Sequence, residues 1–305
     1  MLIWIPMKRV LLGILSVAIF ACSADKKPDE QAFLESLEKQ KEVGPTISNE
    51  VLESILQQIP SPLEVSVLLK ESGTKYDVSI LNSTDNISKY NSNFEKALNL
   101  GVYGTDLGYT NIYEQNQDAI FYLNAIKELA DGLSIGQFFN FGVIKRLATN
   151  SRNLDSLLLI TTINFNNINA YLQEQQRANL SVLLLSGGWI EALHIMCKVA
   201  EKNPNNMELR ERIGEQKIIL ESIMLLLTFY SEGNPYINDL KEKMVKLQEN
   251  FDKIQITRTY EESTLKEVNG IVTIENNSTS SINITDEDVK AIIATTTSIR
   301  ESIIN

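Results

Sequence analysis

A single histidine, two cysteines, two tryptophans and seven prolines in 305 residues leave little material for several common chemistries. With only His194, a di-iron centre built from paired Glu-x-x-His motifs and a His-rich zinc site are both excluded. Cys22 and Cys197 cannot make a disulfide framework. Fourteen glycines with seven prolines exclude collagen-like and Pro/Gly-rich disordered chains. Cations are also in deficit: 28 Lys and Arg face 39 Asp and Glu, a net charge of −11. That balance offers no phosphate-neutralising surface, so no nucleic-acid partner is expected. What remains is an ordinary globular composition, 43% apolar and 22% charged, long enough for one large domain or two modest ones.

The N-terminus carries an address. Lys8-Arg9 precedes an apolar run from Val10 to Phe20, and Ala21-Cys22-Ser23 follows. A basic stretch, a short apolar stretch and a small residue before a cut site describe a secretory signal. At about 11 residues the run is well short of the ~20 that a membrane-spanning helix needs. Ile19-Phe20-Ala21-Cys22 resembles the bacterial lipobox, in which the cysteine thiol takes a diacylglyceryl group before the signal is cut. Residues 1–21 are therefore expected as signal peptide and Cys22 as the lipidation site. Loss of Lys8 and Arg9 leaves the body more acidic still, so membrane attachment is expected through acyl chains, not a basic patch.

Residues 22–46, charged and containing Pro28, Gly44 and Pro45, read as a lipidated N-terminus and flexible tether. From Ser48 the period becomes helical, with Val51, Leu52, Ile55 and Ile59 before Pro60 and Pro62, and Leu63 to Leu69 as a second helix. Stripes at alternating spacings of three and four then recur. They are Phe94, Ala97, Gly101, Gly104, Gly108; Ala119, Leu123, Ile126, Ala130; Leu154 to Leu172; Leu183, Ser186, Ile190, Leu193, Cys197, Ala200; Leu209 to Leu227; and Ile237 to Ile254. Each is one apolar face of a 3.6-period helix. Short polar breaks such as 203–206 and 233–235 imply neighbours that run antiparallel. The fold class read from this is all-α, an antiparallel multi-helix bundle over residues 47–256. Ser134 and 149–151 look like further helix starts, with 135–141 a short connecting helix. Residues 257–305 read as a hairpin of 271–274 with 281–284, followed by a helix capped at Thr285, both packed on the bundle.

The segments Ile59–Glu64, Lys89–Tyr109 (KYNSNFEKALNLGVYGTDLGY), Asn111–Leu133 and Leu183–His194 (LLLSGGWIEALH) resemble an uncharacterised family of helical lipoproteins of Bacteroidetes. The resemblance covers about residues 45–230. It implies an exported, lipid-anchored, mostly helical protein, and it carries no catalytic residue with it.

Four constellations are candidates for chemistry. Gly101, Gly104 and Gly108 share a stripe at a helix cost of about 1 kcal/mol each, which calls for a close backbone neighbour or a ligand against the groove. Tyr103, Asp106, Thr110 and Tyr113, with Tyr109 at one flank, turn to another face of the same helix, where phenols beside a carboxylate suit a polar ligand or bond a neighbouring helix. Ser186-Gly187-Gly188-Trp189 reads either as a helix opening that could receive an anion beside Trp189 or as a kink with Trp189 as core anchor. Glu191 and His194, with Lys198, read as a solvated polar face. The tentative ligand-binding set is thus Tyr103, Asp106, Tyr109, Tyr113, Trp189, Glu191 and His194, with no catalytic residue, metal or cofactor assigned.

The expected function is a non-enzymatic binding or interaction module of the cell envelope, attached to the membrane by its N-terminal lipid, at the outer membrane facing the periplasm. Its partner would be a small ligand or an envelope protein. An envelope enzyme using Asp106, Glu191 and His194 as acid–base groups is the alternative, and it requires the three to converge.

Overall fold

The computed structural model describes residues 51, 69, 73–148, 154–259, 264–268, 271–275 and 279–305, all within the compact unit Pro45–Asn305. The signal peptide, Cys22 and the tether lie outside the described residues, as do 149–151 and, apart from Val51 and Leu69, the helices expected over 48–69.

The described chain begins as a strap, residues 74–90, with 3-10 turns at Val78–Ile80 and Thr84–Lys89. Helices α1 (Asn93–Ile112), α2 (Asn116–Gly132), α3 (Phe141–Ala148), α4 (Leu154–Glu174), α5 (Asn179–Lys202), α6 (Met207–Ser231) and α7 (Pro235–Phe251) follow, and α8 (Asp286–Ile304) closes the chain. Local signals set the ends. Ser92 and Glu95 form a reciprocal capping box at α1, Asn206 and Asn234 cap α6 and α7, and Thr285 with Asp288 repeats the box at α8. The Thr295–Thr297 run does not break α8: Thr295 Oγ1 bonds back to Ala291 O at 2.9 Å, and Thr296 is buried.

The stripes are the core. Ala119, Leu123, Ile126 and Ala130 of α2, the whole α5 series, the α6 series and the α7 series are buried. The protein is an all-α bundle with helix α5 at its centre, packed against α1, α6 and α8. By length and composition α5 could cross a membrane, at a mean hydropathy of 1.6, yet 83% of that window is buried inside the bundle. Each fully buried Leu or Ile there contributes about 1.5–3 kcal/mol. Although α4 and α5 are consecutive, α5 makes its largest contact with α1, because two backbones can approach where side chains are absent.

The C-terminal strands need a correction. Strands β3 (Ile271–Glu275) and β4 (Thr279–Asn283) do not pair with each other. β3 pairs antiparallel with β2 (Thr264–Val268), and β4 with β1 (Gln255–Thr259). The two ladders nest, Val268 opposite Ile271 and Gln255 opposite Asn283. Two strands at 255–268 were therefore missed. The overlooked signals are the β-branched alternation of Gln255-Ile256-Thr257 and the Asn269-Gly270 dipeptide between β2 and β3, a strong hairpin cue. The outer ladder docks on α6 at Gly214, where a Cβ would lie 2.7 Å from Ile282 Cγ2.

Ser134 caps no helix. It has φ +60, the 3-10 turn Gly136–Phe138 begins after Ile135, and α3 starts at Phe141.

Candidate functional site

Ser186-Gly187-Gly188-Trp189 is neither a helix opening nor a break. Helix α5 runs unbroken through it, with Ser186 Oγ bonded to Val182 O at 2.8 Å, so no free N–H groups face an anion there. The glycines serve packing instead. A Cβ on Gly101 would strike the Leu184 carbonyl oxygen and lie 2.6 Å from Gly188 N, and one on Gly187 would strike the Leu98 carbonyl oxygen. Thr105 Oγ1 donates to Gly188 O at 3.0 Å across the same seam. Gly104 and Gly108 differ, with nothing within 4 Å of a built Cβ. Of the three-glycine stripe, only Gly101 meets the neighbouring helix.

The Tyr face of α1 holds the strap and, through Tyr113, the helical residue Leu69. Tyr103 Oη donates to Ser83 O at 2.9 Å, Tyr109 Oη accepts from Asp77 N–H at 3.3 Å, and Tyr113 Oη donates to Leu69 O at 3.3 Å. Tyr109 and Tyr113 also cluster with Tyr76, their ring centroids 4.9–5.9 Å apart. Tyr103 and Tyr109 are buried and Tyr113 is partly exposed. Trp189 is a core anchor, its Nε1–H donating to Gln216 Oε1 at 3.0 Å.

Beneath the strap lies a polar knot. Arg300 of α8 grips Glu191 of α5 with two bonds, Nε to Oε2 at 2.6 Å and Nη2 to Oε1 at 2.7 Å. Its Nη2 also donates to Ile80 O at 3.1 Å. His194 Nε2 lies 3.2 Å from the same carbonyl, which fixes the proton on Nε2. Asp106 Oδ2 accepts from Asn82 N–H at 3.2 Å, its Oδ1 is buried without a hydrogen-bond partner, and the Glu191 carboxyl is the largest charged influence on it. Asp106 and Glu191 are wholly buried and His194 is 3% exposed, so the solvated face expected for Glu191 and His194 does not exist.

Electrostatics decide who carries a proton. Burial and then the charge of Glu191 push the Asp106 carboxyl well above the usual range, so Asp106 is the protonated member of the pair. Burial and the neighbouring Arg300 and Lys198 charges drop His194 to about 3, which keeps it neutral. One guanidinium then balances one carboxylate, and the knot as a whole is neutral, the arrangement a dry interior demands. Burial disfavours the Arg300 charge, but the Glu191 hydrogen bond and charge outweigh it and raise its pKa. Asn99 Nδ2 and Tyr90 Oη extend the knot to Ile303 O and Ile304 O, tying down the end of α8.

Asp106, Glu191 and His194 therefore do converge, but none of them lines an opening. Among the described residues there is an open cleft of about 360 Å³ between strap and α2. Val78, Ser79, Leu81, Ser83 and Thr84 form its strap side. Asp118, Phe121 and Tyr122 of α2 form the other. Val78 is 54% exposed and Phe121 49%. Tyr122 is buried and stands between the cleft and the knot, its phenol pKa raised by burial and by the charges of Asp106, Glu191 and Asp118. Tyr76 Oη donates to Asp118 Oδ2 at 2.7 Å and Lys202 pairs with Asp77 at 2.5 Å, so the chain just before the strap wall is tied to two helices, while the Tyr103 bond to Ser83 O ties its other end. Among the described residues no group of three His, Cys, Asp or Glu side chains is arranged to hold a metal.

Comparison with protein families, with curated proteins and with solved structures finds no match to this chain. The reading of function therefore rests on the residues themselves.

None of the seven tentative ligand residues lines the cleft. Sequence reasoning missed the cleft residues and Arg300. Arg300 left a signal: a cation on the Val289, Ile292, Thr296, Ile303 stripe of a helix requires a buried acid opposite it.

Proposed function

We propose that this chain is a lipid-anchored, non-enzymatic binding module of the bacterial cell envelope, and that the cleft between strap and α2 is its ligand-facing surface. The observation that carries the reading is the pair Val78 and Phe121, two apolar side chains about half exposed at the edge of a concave surface that also presents Asp118 and hydroxyls. Apolar walls with a few convergent polar groups are the usual make-up of a small-molecule site. The anchor is supported by Lys8-Arg9, the short apolar run and Ala21-Cys22, and by the resemblance to lipoproteins of Bacteroidetes. An outer-membrane position facing the periplasm accords with that resemblance.

Two measurements test it. Metabolic labelling with a fatty acid tags the full-length protein in an envelope-bearing host and is lost in Cys22→Ala; equal labelling of the two refutes the anchor. Phe121→Ser retains the melting temperature and loses ligand binding at the cleft; unchanged binding refutes the surface.

A second reading, an enzyme working through Asp106, Glu191 and His194, is favoured by their convergence on Arg300 and Ile80 O. Against it stands their burial, which leaves a substrate no contact with them unless the strap lifts. A hydrolytic activity abolished by His194→Gln at unchanged stability would establish this reading over the first.

A further inference from the structure

We propose that the cleft selects a small organic cation, an ammonium group carried on a single-ring or short aliphatic body. The inference rests on the cleft being the binding surface, and it adds the class of ligand. Among the lining residues Asp118 is the one charged side chain, and no Lys or Arg is present to receive an anion. The carboxylate is already oriented. Tyr76 Oη holds its Oδ2 at 2.7 Å, which leaves Oδ1 to accept from a ligand donor. A preset acceptor spares the ligand the cost of ordering it. The ring of Phe121, half exposed, and that of Tyr122 supply π-faces within the same wall, and a cation over such a face is attracted to it. Val78 and Leu81 give the ligand's body an apolar counterpart across the cleft. The net charge of −11 draws cations toward the molecule in general. At about 360 Å³ the cleft is at the small end of ligand sites, which suits one ring and excludes a cofactor-sized molecule.

The test is a nuclear magnetic resonance titration of the full chain with three probes of one shape: 2-phenylethylamine, 2-phenylethanol and phenylacetate. The amine is expected to shift resonances of 78–84 and 118–122 and to bind roughly ten times or more tighter than the alcohol, the fold-change of one charge-assisted hydrogen bond. Phenylacetate is expected to bind more weakly than either. Asp118→Asn, whose amide oxygen still accepts from Tyr76, should bring the amine down to the alcohol, while Phe121→Ser should weaken both. Equal affinities of amine and alcohol, an unchanged amine affinity in Asp118→Asn, or preference for phenylacetate overturns the cation inference and leaves the cleft reading standing if Phe121→Ser still abolishes binding. Failure of all three probes to perturb the cleft overturns both.

Discussion

Replacing Asp106 with Asn isolates the proton that the core holds. In the unfolded chain Asp106 ionises near 3.8, and in the fold its pKa is well above that. Because the folded value is the higher one, its contribution to stability is complete below pH 3.8 and is lost as pH rises toward the folded value. His194 has the opposite sign. Its folded value is about 3 against 6.5 unfolded, so its contribution is complete above 6.5 and is lost as pH falls toward 3. Between 3.8 and 6.5, folding takes up one proton at Asp106 and releases one at His194, and the two slopes cancel. Above 6.5 Asp106 acts alone, and stability falls as pH rises toward its folded value, with a limiting slope of about 1.4 kcal/mol per pH unit. The window closes near pH 9, where the Cys197 thiol, pushed by burial from 9.0 to about 12, adds its own loss. Asn at 106 needs no proton, and its oxygen accepts from Asn82 N–H. Urea unfolding followed by circular dichroism, run on both proteins in half-unit steps across this window, should give a falling line for the natural chain and a flat one for Asp106→Asn. A flat line for the natural chain, or parallel lines for the two, would refute the account of a proton held at Asp106.

Other expectations follow from the same contacts. Arg300→Met leaves Glu191 buried without its counter-charge and should cost about 3–5 kcal/mol in chemical unfolding, while adding Glu191→Met should recover most of that loss. Gly101→Ala and Gly187→Ala force a methyl into the backbone of the opposing helix and should lower stability by about 3 kcal/mol each. Gly104→Ala meets only open space and should raise it by about 0.5–1 kcal/mol, readable as a higher melting temperature. Ser92→Ala removes the cap of α1 and should cost about 1 kcal/mol by the same melt.

The sequence by itself determined the elements that depend on neighbours along the chain. Apolar spacing of three and four placed the buried faces of α2, α5, α6 and α7, because a helix repeats every 3.6 residues whatever it packs against. A short polar side chain located the cap at Thr285, since a cap bonds N–H groups two or three residues on. The glycine seam was legible as an expected close approach at Gly101. Its restriction to that one glycine was not, because Gly104 and Gly108 obey the same spacing and differ only in what stands opposite.

Only the tertiary structure decided the rest. Glu191 and His194 carry the same spacing whether they face water or the core, and it is the arrival of Arg300, more than a hundred residues later, that makes the core tolerable for a carboxylate. The strand partners of 271–275 and 279–283 depended on a choice among distant segments, which local alternation does not encode. The cleft likewise joins residues 78–84 to 118–122 across the full length of α1, and a concave surface is a relation between two elements that neither contains alone.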